Sequence, residues 1–402
     1  MPLIIAQETI ERVCDLRRQI HRFPELGFDV HRTAALVESE LSALGIEYRR
    51  VTPTGVVGVV RGARGGPVVG LRADMDALPI PEQSGEPFSS EHANAMHACG
   101  HDAHAAMLLG AARTLQQNRK ELSGTVVCIF QPAEEGPDPG GALPMIEAGV
   151  MDDPKIAAMA MLHVDTRLET GTIGITPGPV SAAADEFYIS VHGRGGHGAY
   201  PHTANDAIPA AAAMVLGLQN IAARETDPLA SVVVTVGTIA GGYRNNVISD
   251  KVEMSGTFRA HDPAVRGQLG QRARRVIEGI AAAYNVQATL RVVSGYPAVV
   301  NDDKLAADFA AYMATRENTR VERAAPTMGA EDFAYFAQLV PSVLVRLGIR
   351  NEGKGITAPG HSAQFRLDED ALPVGVRTLV AFANVVTSGA IRLGAERHAA
   401  GD

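Results

Sequence analysis

Cysteine is scarce in this chain: Cys14, Cys99 and Cys128 are the only three in 402 residues. Three thiols build no disulfide framework, so a reducing, cytoplasmic compartment is expected. Positive charge is also in deficit. There are 36 Lys and Arg against 45 Asp and Glu, a net charge of −9 at pH 7. That balance argues against nucleic acid and anionic membrane as partners. No stretch reaches the ~20 apolar residues of a membrane span. The opening Leu3-Ile4-Ile5-Ala6, before Gln7 and Glu8, is too short for the apolar core of a signal peptide. Repeats are absent, and the one biased tract is an alanine-rich segment near Ala210. What remains is the composition of a globular enzyme-sized protein. It is too long for one ordinary core, so two domains are expected.

The densest chemistry lies in Met96-His97-Ala98-Cys99-Gly100-His101-Asp102-Ala103-His104. Cys99 and His101 are two apart and would not share a helical face. Gly100 between them lets the backbone turn so that both can point at one spot. Asp102 is expected to cap a helix running from Ala103 to Leu115. Soft and borderline ligands at the mouth of a helix suit a divalent transition metal. The plainer alternative is a buried thiol beside a polar loop.

The rest of the chain supplies the context. Glu8 to Gln19 and Arg32 to Leu44 read as helices, the second stopped by Gly45. Apolar β-rich runs follow at Gly55 to Val60, Pro67 to Leu71, Gly124 to Phe130, Ile156 to Leu162 and Ser342 to Leu347. Short buried strands alternating with helices predict an α/β fold with a largely parallel sheet. The middle differs. Strands at Glu186 to His192, Ser231 to Thr238, Lys251 to Arg259 and Gln287 to Val293 are interleaved with helices at Asp206 to Ala223 and Asp262 to Tyr284. This βαββαβ order is ferredoxin-like. An inserted domain is therefore expected at residues 183–296, with 1–182 and 297–402 forming the first domain.

In an open α/β sheet, ligands collect at the carboxyl ends of the strands. Asp74 and Asp76 follow Leu71, Glu134 and Glu135 follow Phe130, His163 follows Leu162, and a loop ending at His361 follows Leu347. Adjacent Glu134 and Glu135 would repel each other unless a cation sits beside one of them. Asp74 and Asp76 could be ligands, or could serve Arg72 and loop capping. His163 or His361 alone would be an ordinary histidine; together with the Cys99–His101 loop they make a site. His92 and His97 are expected in loops, and Cys14 and Cys128 in the core.

Six segments together resemble a known family. They are Arg72-Ala-Asp-Met-Asp-Ala-Leu-Pro79, His97-Ala-Cys-Gly-His-Asp-Ala-His104, Gln131-Pro-Ala-Glu-Glu-Gly136, Gly195-Gly-His-Gly-Ala-Tyr-Pro-His202, Asn246-Val-Ile-Ser-Asp250 and Met328-Gly-Ala-Glu-Asp-Phe333. They resemble motifs of the amidohydrolase branch of the aminoacylase and carboxypeptidase G clan, which includes hippurate hydrolases and auxin-conjugate amidohydrolases. The resemblance runs from about His21 to Leu372. It implies a two-metal hydrolase of N-acyl amino acids, with Cys99, His101, Glu135, His163 and His361 as ligands. It implies that Glu134 is the general base and acid, and that the inserted domain is a lid or dimerisation domain through which copies could pair. His197 would polarise the scissile carbonyl, and Asn246 and Arg259 would hold the substrate's carboxylate. Asp76 becomes a supporting residue of the catalytic set. Zinc fits Cys and His ligands best, with manganese or cobalt as alternatives.

Three features depart from the branch: Thr166 and Ser249 stand where it has proline, and Pro137-Asp138-Pro139 is inserted after the Glu pair. Other functions weighed are a metallo-carboxypeptidase or dipeptidase, an amidase with Cys99 as nucleophile, and a non-catalytic binding protein.

Overall fold

The computed structural model describes residues 5–136, 139–316 and 319–394. They divide into two compact units. Unit 1 comprises Met1–Gly178, Val300–Ala325 and Asp332–Asp402, and unit 2 comprises Pro179–Val299 and Pro326–Glu331.

Unit 1 opens with α1 (Gln7–Arg22), which buries Val13, Leu16 and Ile20 at helical spacing. Next come α2 (His31–Ala43), β1 (Glu47–Arg50), β2 (Val56–Arg61) and β3 (Arg64–Asp74). α3 (His101–Gln117) is buried almost all round. A Cβ at Gly110 would stand 2.4 Å from Val13 Cγ2, so this glycine lets α1 and α3 approach closely. The first half of the unit closes with β4 (Ser123–Gln131), α4 (Ala142–Glu147), β5 (Ala158–Glu169), β6 (Thr172–Gly174) and a short β7 (Gly178–Pro179).

Unit 2 contains β8 (Ala183–His192), β9 (Gly196–His197), α5 (Ala207–Arg224), β10 (Val232–Gly241), β11 (Val247–Ile248), β12 (Lys251–Ala260), α6 (Pro263–Tyr284) and β13 (Gln287–Ser294). Its four-stranded antiparallel sheet has the order β10-β12-β8-β13. With α5 and α6 between strands, this is the ferredoxin-like arrangement expected from the sequence. β8 buries alternate residues, and Phe187, Ile189 and Val191 meet Met214, Leu218, Phe258 and Ile277 in the core. Pro326–Glu331 joins this unit because Thr327 N–H donates to Val180 O and Ala182 N–H donates to Gly329 O. The sequence reading had left that segment with the first domain; its tie to unit 2 runs through backbone bonds that carry no sequence pattern.

The chain then returns to unit 1 through β14 (Val300–Asn301), α7 (Asp303–Ala314), β15 (Arg320–Glu322), α8 (Ala334–Leu339), β16 (Ser342–Arg350) and α9 (Leu372–Thr387). The large sheet has the order β1-β2-β4-β3-β5-β16-β6-β15. Its centre, β4-β3-β5-β16, is parallel. β1 and β2 are antiparallel additions on one side, and β6 runs antiparallel to β16 on the other. Four parallel strands end on one side of the sheet, which is where such folds hold their ligands.

Two segments, Ala207–Arg224 and Glu369–Thr387, are long and apolar enough to cross a membrane by length and composition. The second is mostly buried in unit 1, and α5 lays its alanine-rich face on the sheet of unit 2.

A candidate metal centre in unit 1

The strand exits converge on the loop that carries Cys99. Gly100 sits at the N-cap of α3 with φ +85°, and a Cβ there would stand 2.5 Å from Val164 Cγ2. Both the backbone angle and the space require glycine. His101 is thus the first residue of α3, one turn of chain from Cys99. Asp102 lies inside the helix and does not cap it, contrary to the sequence expectation. At the end of β4, Ala133 takes φ +55°, a costly conformation for alanine, which turns the chain sharply before Glu134. Ala133 is held by its N–H to Gly27 O and by its carbonyl to Gly141 N–H. His163 lies within β5, past the last β3–β5 pair at Arg72 and Met161. His361 also has a positive φ, +61°, and its N–H donates to Ala98 O at 2.8 Å, which ties its loop to that of Cys99.

Among the described residues five groups of donor atoms each lie within 4.8 Å; three of them join the expected ligands: Cys99, His101 and His163; Cys99, Glu135 and His361; His101, Glu134 and Glu135; a fourth is Asp74, His101 and His104. The Cys99 sulfur belongs to two of them. Its distance to His163 Nε2 is 3.5 Å. His163 Nδ1 lies 2.7 Å from Val164 O. The proton therefore sits on Nδ1, and Nε2 presents its lone pair to the site, the usual posture of a metal-ligating histidine. His101 Nδ1 is 3.5 Å from Asp76 Oδ1, and Nε2 is 3.9 Å from Glu134 Oε2. Both His101 nitrogens are buried without an aligned hydrogen-bond partner. Glu135 Oε1 is in the same state, although His361 Nε2 stands 3.1 Å away. Buried polar atoms left this way cost about 1–3 kcal/mol each. A divalent cation satisfies them, and a donor set of sulfur, imidazole and carboxylate suits a transition metal.

Cys99 and His101 would each have to give up a proton to hold a cation. Burial pushes the Cys99 thiol up to about 12. Burial pulls His101 down, but Asp74, Cys99 and Asp76 together raise it well above the ordinary histidine range. Burial, then His104 and Arg346, hold His163 well below that range.

Around this cluster stands a shell in which each side chain is already bonded to protein. Asp74 Oδ1 is 2.6 Å from His104 Nδ1, and Oδ2 accepts from Arg72 Nη1 at 2.6 Å. His104 Nε2 accepts from Val164 N–H at 3.0 Å, which places the histidine proton on Nδ1. Both Asp74 oxygens and both His104 nitrogens are therefore occupied. Asp74 is thus tied to Arg72 and His104, and its Oδ2 also stands 3.8 Å from His101 Nε2. Arg72 also donates from Nη2 to Asp332 Oδ1 at 2.6 Å, and Asp332 Oδ2 accepts from Gln131 Nε2 and Ala142 N–H. Asp76 accepts from the backbone N–H of Glu134 and of Glu135, at 2.9 and 3.0 Å, one on each oxygen. It thus fixes the Glu pair from behind.

Sequence reading passed over His104 and gave Asp332 no role. The usable signal for His104 was its place three residues after His101, on the same helical side. Nothing in the sequence showed which strand exit Asp332 would meet. His97, expected in a loop, is fully buried, and burial drives it down to about 3. His92 is a loop residue bonded to Pro24 O, Cys128 is buried in the core, and Cys14 packs against it.

The other three expected residues lie in unit 2. β9 pairs with β11, with His197 opposite Val247, and Gly198 N–H donates to Asn246 O at 2.8 Å. His197 and Asn246 therefore share one tip. Ala199 N–H donates to His197 Nδ1 at 3.0 Å, leaving the imidazole proton on Nε2. Arg259 is elsewhere. It pairs with Ala184 and Val233 near the far end of β12, whereas Lys251 at the near end pairs with His192. Eight residues of strand separate Arg259 from Lys251, roughly 26 Å. Asn246 and Arg259, which the resemblance sets on one substrate carboxylate, therefore lie toward opposite ends of β12, because the strand runs away from the tip before it reaches Arg259. Ser249, where the branch has proline, has its own use. Its hydroxyl donates to Lys251 O and accepts from Gly242 N–H. Of the insertion, Pro137 and Asp138 lie outside the described residues.

The fold and the donor cluster define a metal-dependent hydrolase, with an α/β unit carrying the ligand atoms and a ferredoxin-like unit inserted. The model of peptidase family M20/M25/M40 matches residues 70–385, and the chain belongs to that family. It is similar to thermostable carboxypeptidase 1 of Saccharolobus solfataricus, with 40% identity over 92% of this chain and 94% of that one. It is also similar to IAA-amino acid hydrolase ILR1-like 2 of Arabidopsis thaliana, with 42% identity over 92% and 83%. Among solved structures, the YXEP protein of Bacillus subtilis, a dinuclear metal-binding peptidase from the M20 family, is 36% identical with a TM-score of 0.85, covering 95% of this chain and 99% of that one.

Proposed function

We propose that this chain hydrolyses the amide bond of N-acyl amino acids, releasing a carboxylic acid and a free amino acid. The observation that carries this reading is a buried carboxylate, Glu134, placed beside ligand atoms that protein contacts leave unsatisfied. Cys99, His101, Glu135, His163 and His361 are the residues that would hold two divalent cations, zinc by the softness of the donors, with manganese or cobalt as substitutes. When bound, the cations would supply Lewis-acid polarisation of the carbonyl and acidify water. Glu134 takes a proton from the attacking water and delivers it to the leaving nitrogen, so the water's hydroxyl goes to the acyl carbon and its proton to the amine. A carboxyl doing this must not be spent on the metals, which is why Glu135 is the ligand. Asp76 keeps the pair in register through their two backbone amides.

His197, with its proton on Nε2, is the donor for the carbonyl oxygen as it gains charge. Residues 179–299 act as the lid. One copy of that unit can present either the His197–Asn246 tip or Arg259 to a given substrate carboxylate, since β12 separates them. Use of both requires a second copy, and the exposed edge strand β10, with Ile239 55% exposed, offers a surface for pairing. The free thiols fit a reducing, cytoplasmic setting.

A carboxypeptidase substrate is itself an acyl amino acid amide, so the relative of that name requires the same chemistry. A Cys99 nucleophile fits poorly, because a thiol buried to a value near 12 is not ionised at neutral pH without a cation. The test is hydrolysis of acetyl, benzoyl and indoleacetyl amino acids with zinc, manganese or cobalt, before and after chelation. Cleavage that needs metal and prefers the free acid to its methyl ester is expected. Cleavage that chelators leave intact, or none with any metal, would overturn the reading.

A further inference from the structure

We infer that Asp332 is a positioning residue: its carboxylate ties together the two ends of the loop that carries Glu134 and Glu135. What those two glutamates do is taken from the amidohydrolase reading above. The loop leaves β4 after Gln131 and enters α4 at Ala142. Its two legs touch near the base. Gly141 N–H donates to Ala133 O at 2.9 Å, and a Cβ at Gly141 would stand 1.7 Å from Pro132 O. Asp76 holds the loop further out, by the amides of Glu134 and Glu135.

Asp332 closes the base with its side chain and is fully buried. Its Oδ2 accepts from Gln131 Nε2 at 2.7 Å and from Ala142 N–H at 2.9 Å, the last residue before the loop and the first after it. Its Oδ1 accepts from Arg72 Nη2 at 2.6 Å and from Gln131 Nε2 at 2.9 Å. Arg72 Nε donates to Gln131 Oε1 at 3.0 Å. Each of these three side chains is thus bonded to the other two. The ring they form turns the oxygen of the Gln131 amide toward Arg72 and its nitrogen toward Asp332. Arg72 already has the Asp74 carboxylate on Nη1. A counter-ion for the arginine would not need to reach Gln131 and Ala142 as well.

The tie matters because both glutamates depend on where the loop stands. Misplacing a reacting group by about 1 Å costs roughly 10²-fold in rate. Losing the partner that orients a metal ligand costs about 10- to 100-fold in metal affinity or activity. The groups facing the Asp332 carboxylate from Arg72, Gln131 and Ala142 are all donors. An asparagine there offers one oxygen in place of two, so its NH₂ must face a donor. Gln131 cannot turn its amide to compensate without losing Arg72 from its oxygen.

The test is zinc affinity by equilibrium dialysis, and kcat for benzoyl-alanine at saturating zinc, each per folded chain. Asp332→Asn should weaken zinc binding, through Glu135, and lower kcat, through Glu134, by about 10- to 100-fold each, with little change in KM. Gln131→Met leaves the Asp332 carboxylate in place and unties one end of the loop, so it should move both quantities the same way. If Asp332→Asn does not fold, Gln131→Met decides alone. A lower urea midpoint with zinc affinity and kcat at the parent's values would make Asp332 a scaffold residue only and overturn the proposal. A loss in Asp332→Asn that Gln131→Met does not share would also overturn it, because Asp332 would then act directly and not through the loop. If the parent hydrolyses no N-acyl amino acid while both variants still weaken zinc binding, the amidohydrolase reading falls and the tie stands.

Discussion

His101 and Asp102 are neighbours on α3, yet they enter two buried clusters of opposite kinds. Asp102 Oδ2 accepts from Arg17 Nε and faces His21 Nδ1, each at 2.8 Å, and His21 Nε2 stands 3.1 Å from Glu82 Oε1. Glu82 in turn accepts from Ser90 N–H. Around His101 no such closure occurs: its nitrogens meet carboxylates only at 3.5 Å and beyond. Both clusters are buried and both combine imidazole with carboxylate. Protein atoms pair most of the first, whereas in the second both His101 nitrogens and Glu135 Oε1 lack an aligned protein partner. Successive helical residues point about 100° apart, so one turn of α3 serves a scaffold on one side and a ligand site on the other. The contrast is not perfect, since Asp102 Oδ1 and both nitrogens of His97 also lack partners. His97 is kept neutral by burial, so its orphaned atoms carry no charge.

The comparison can be broken most forcefully at Glu134. Glu134→Gln should lower kcat by about 10²- to 10⁴-fold while metal content stays at the level of the parent protein. A loss under about tenfold would remove Glu134 from the proton-transfer role. On the scaffold side, Arg17→Met leaves the Asp102 carboxylate buried without its guanidinium, at a cost of about 3–5 kcal/mol. Urea unfolding should report that loss, and metal analysis of the folded fraction should show none.

A smaller effect comes from pH. Glu82 is pulled to about 2: burial opposes this, but His21, Ser84 and Ser90 outweigh it. Its folded value is below the ordinary 4.5, so its contribution is present above about 4.5 and lost as pH falls toward about 2. His21 is shifted up: burial lowers it, but Asp102 and Glu82 outweigh that. Its contribution is therefore full below the ordinary 6.5 and fades as pH rises through its higher folded value. Unfolding curves should show stability falling in acid from about pH 4.5 downward. Glu82→Gln should flatten that fall.

Much of this was legible in the sequence, and the gaps have physical causes. Apolar runs and their spacing located the central strands and the βαββαβ insert, because burial on both faces or on one writes itself into side-chain pattern. The residues that meet at the centre were legible because four strand exits each carried one. Three things were not. Asp102 looked like a cap because a carboxylate beside glycine before an apolar helix has that pattern, and only the fold shows Arg17 and His21 arriving from α1. The bonding of Asp74 to Arg72 and His104 depends on side-chain geometry across β3, α3 and β5. The separation of Asn246 from Arg259 follows from strand direction: a turn between two strands brings Asn246 to one end of β12, and Arg259 is reached only at the other.

The most direct measurement sets one cluster against the other. Equilibrium dialysis against Zn²⁺ can be run on the parent protein, His101→Ala and His21→Ala, each confirmed as folded. The account predicts two ions per chain for the parent and for His21→Ala, with fewer for His101→Ala. Equal binding by His101→Ala and the parent, or loss of binding in His21→Ala alone, would contradict it.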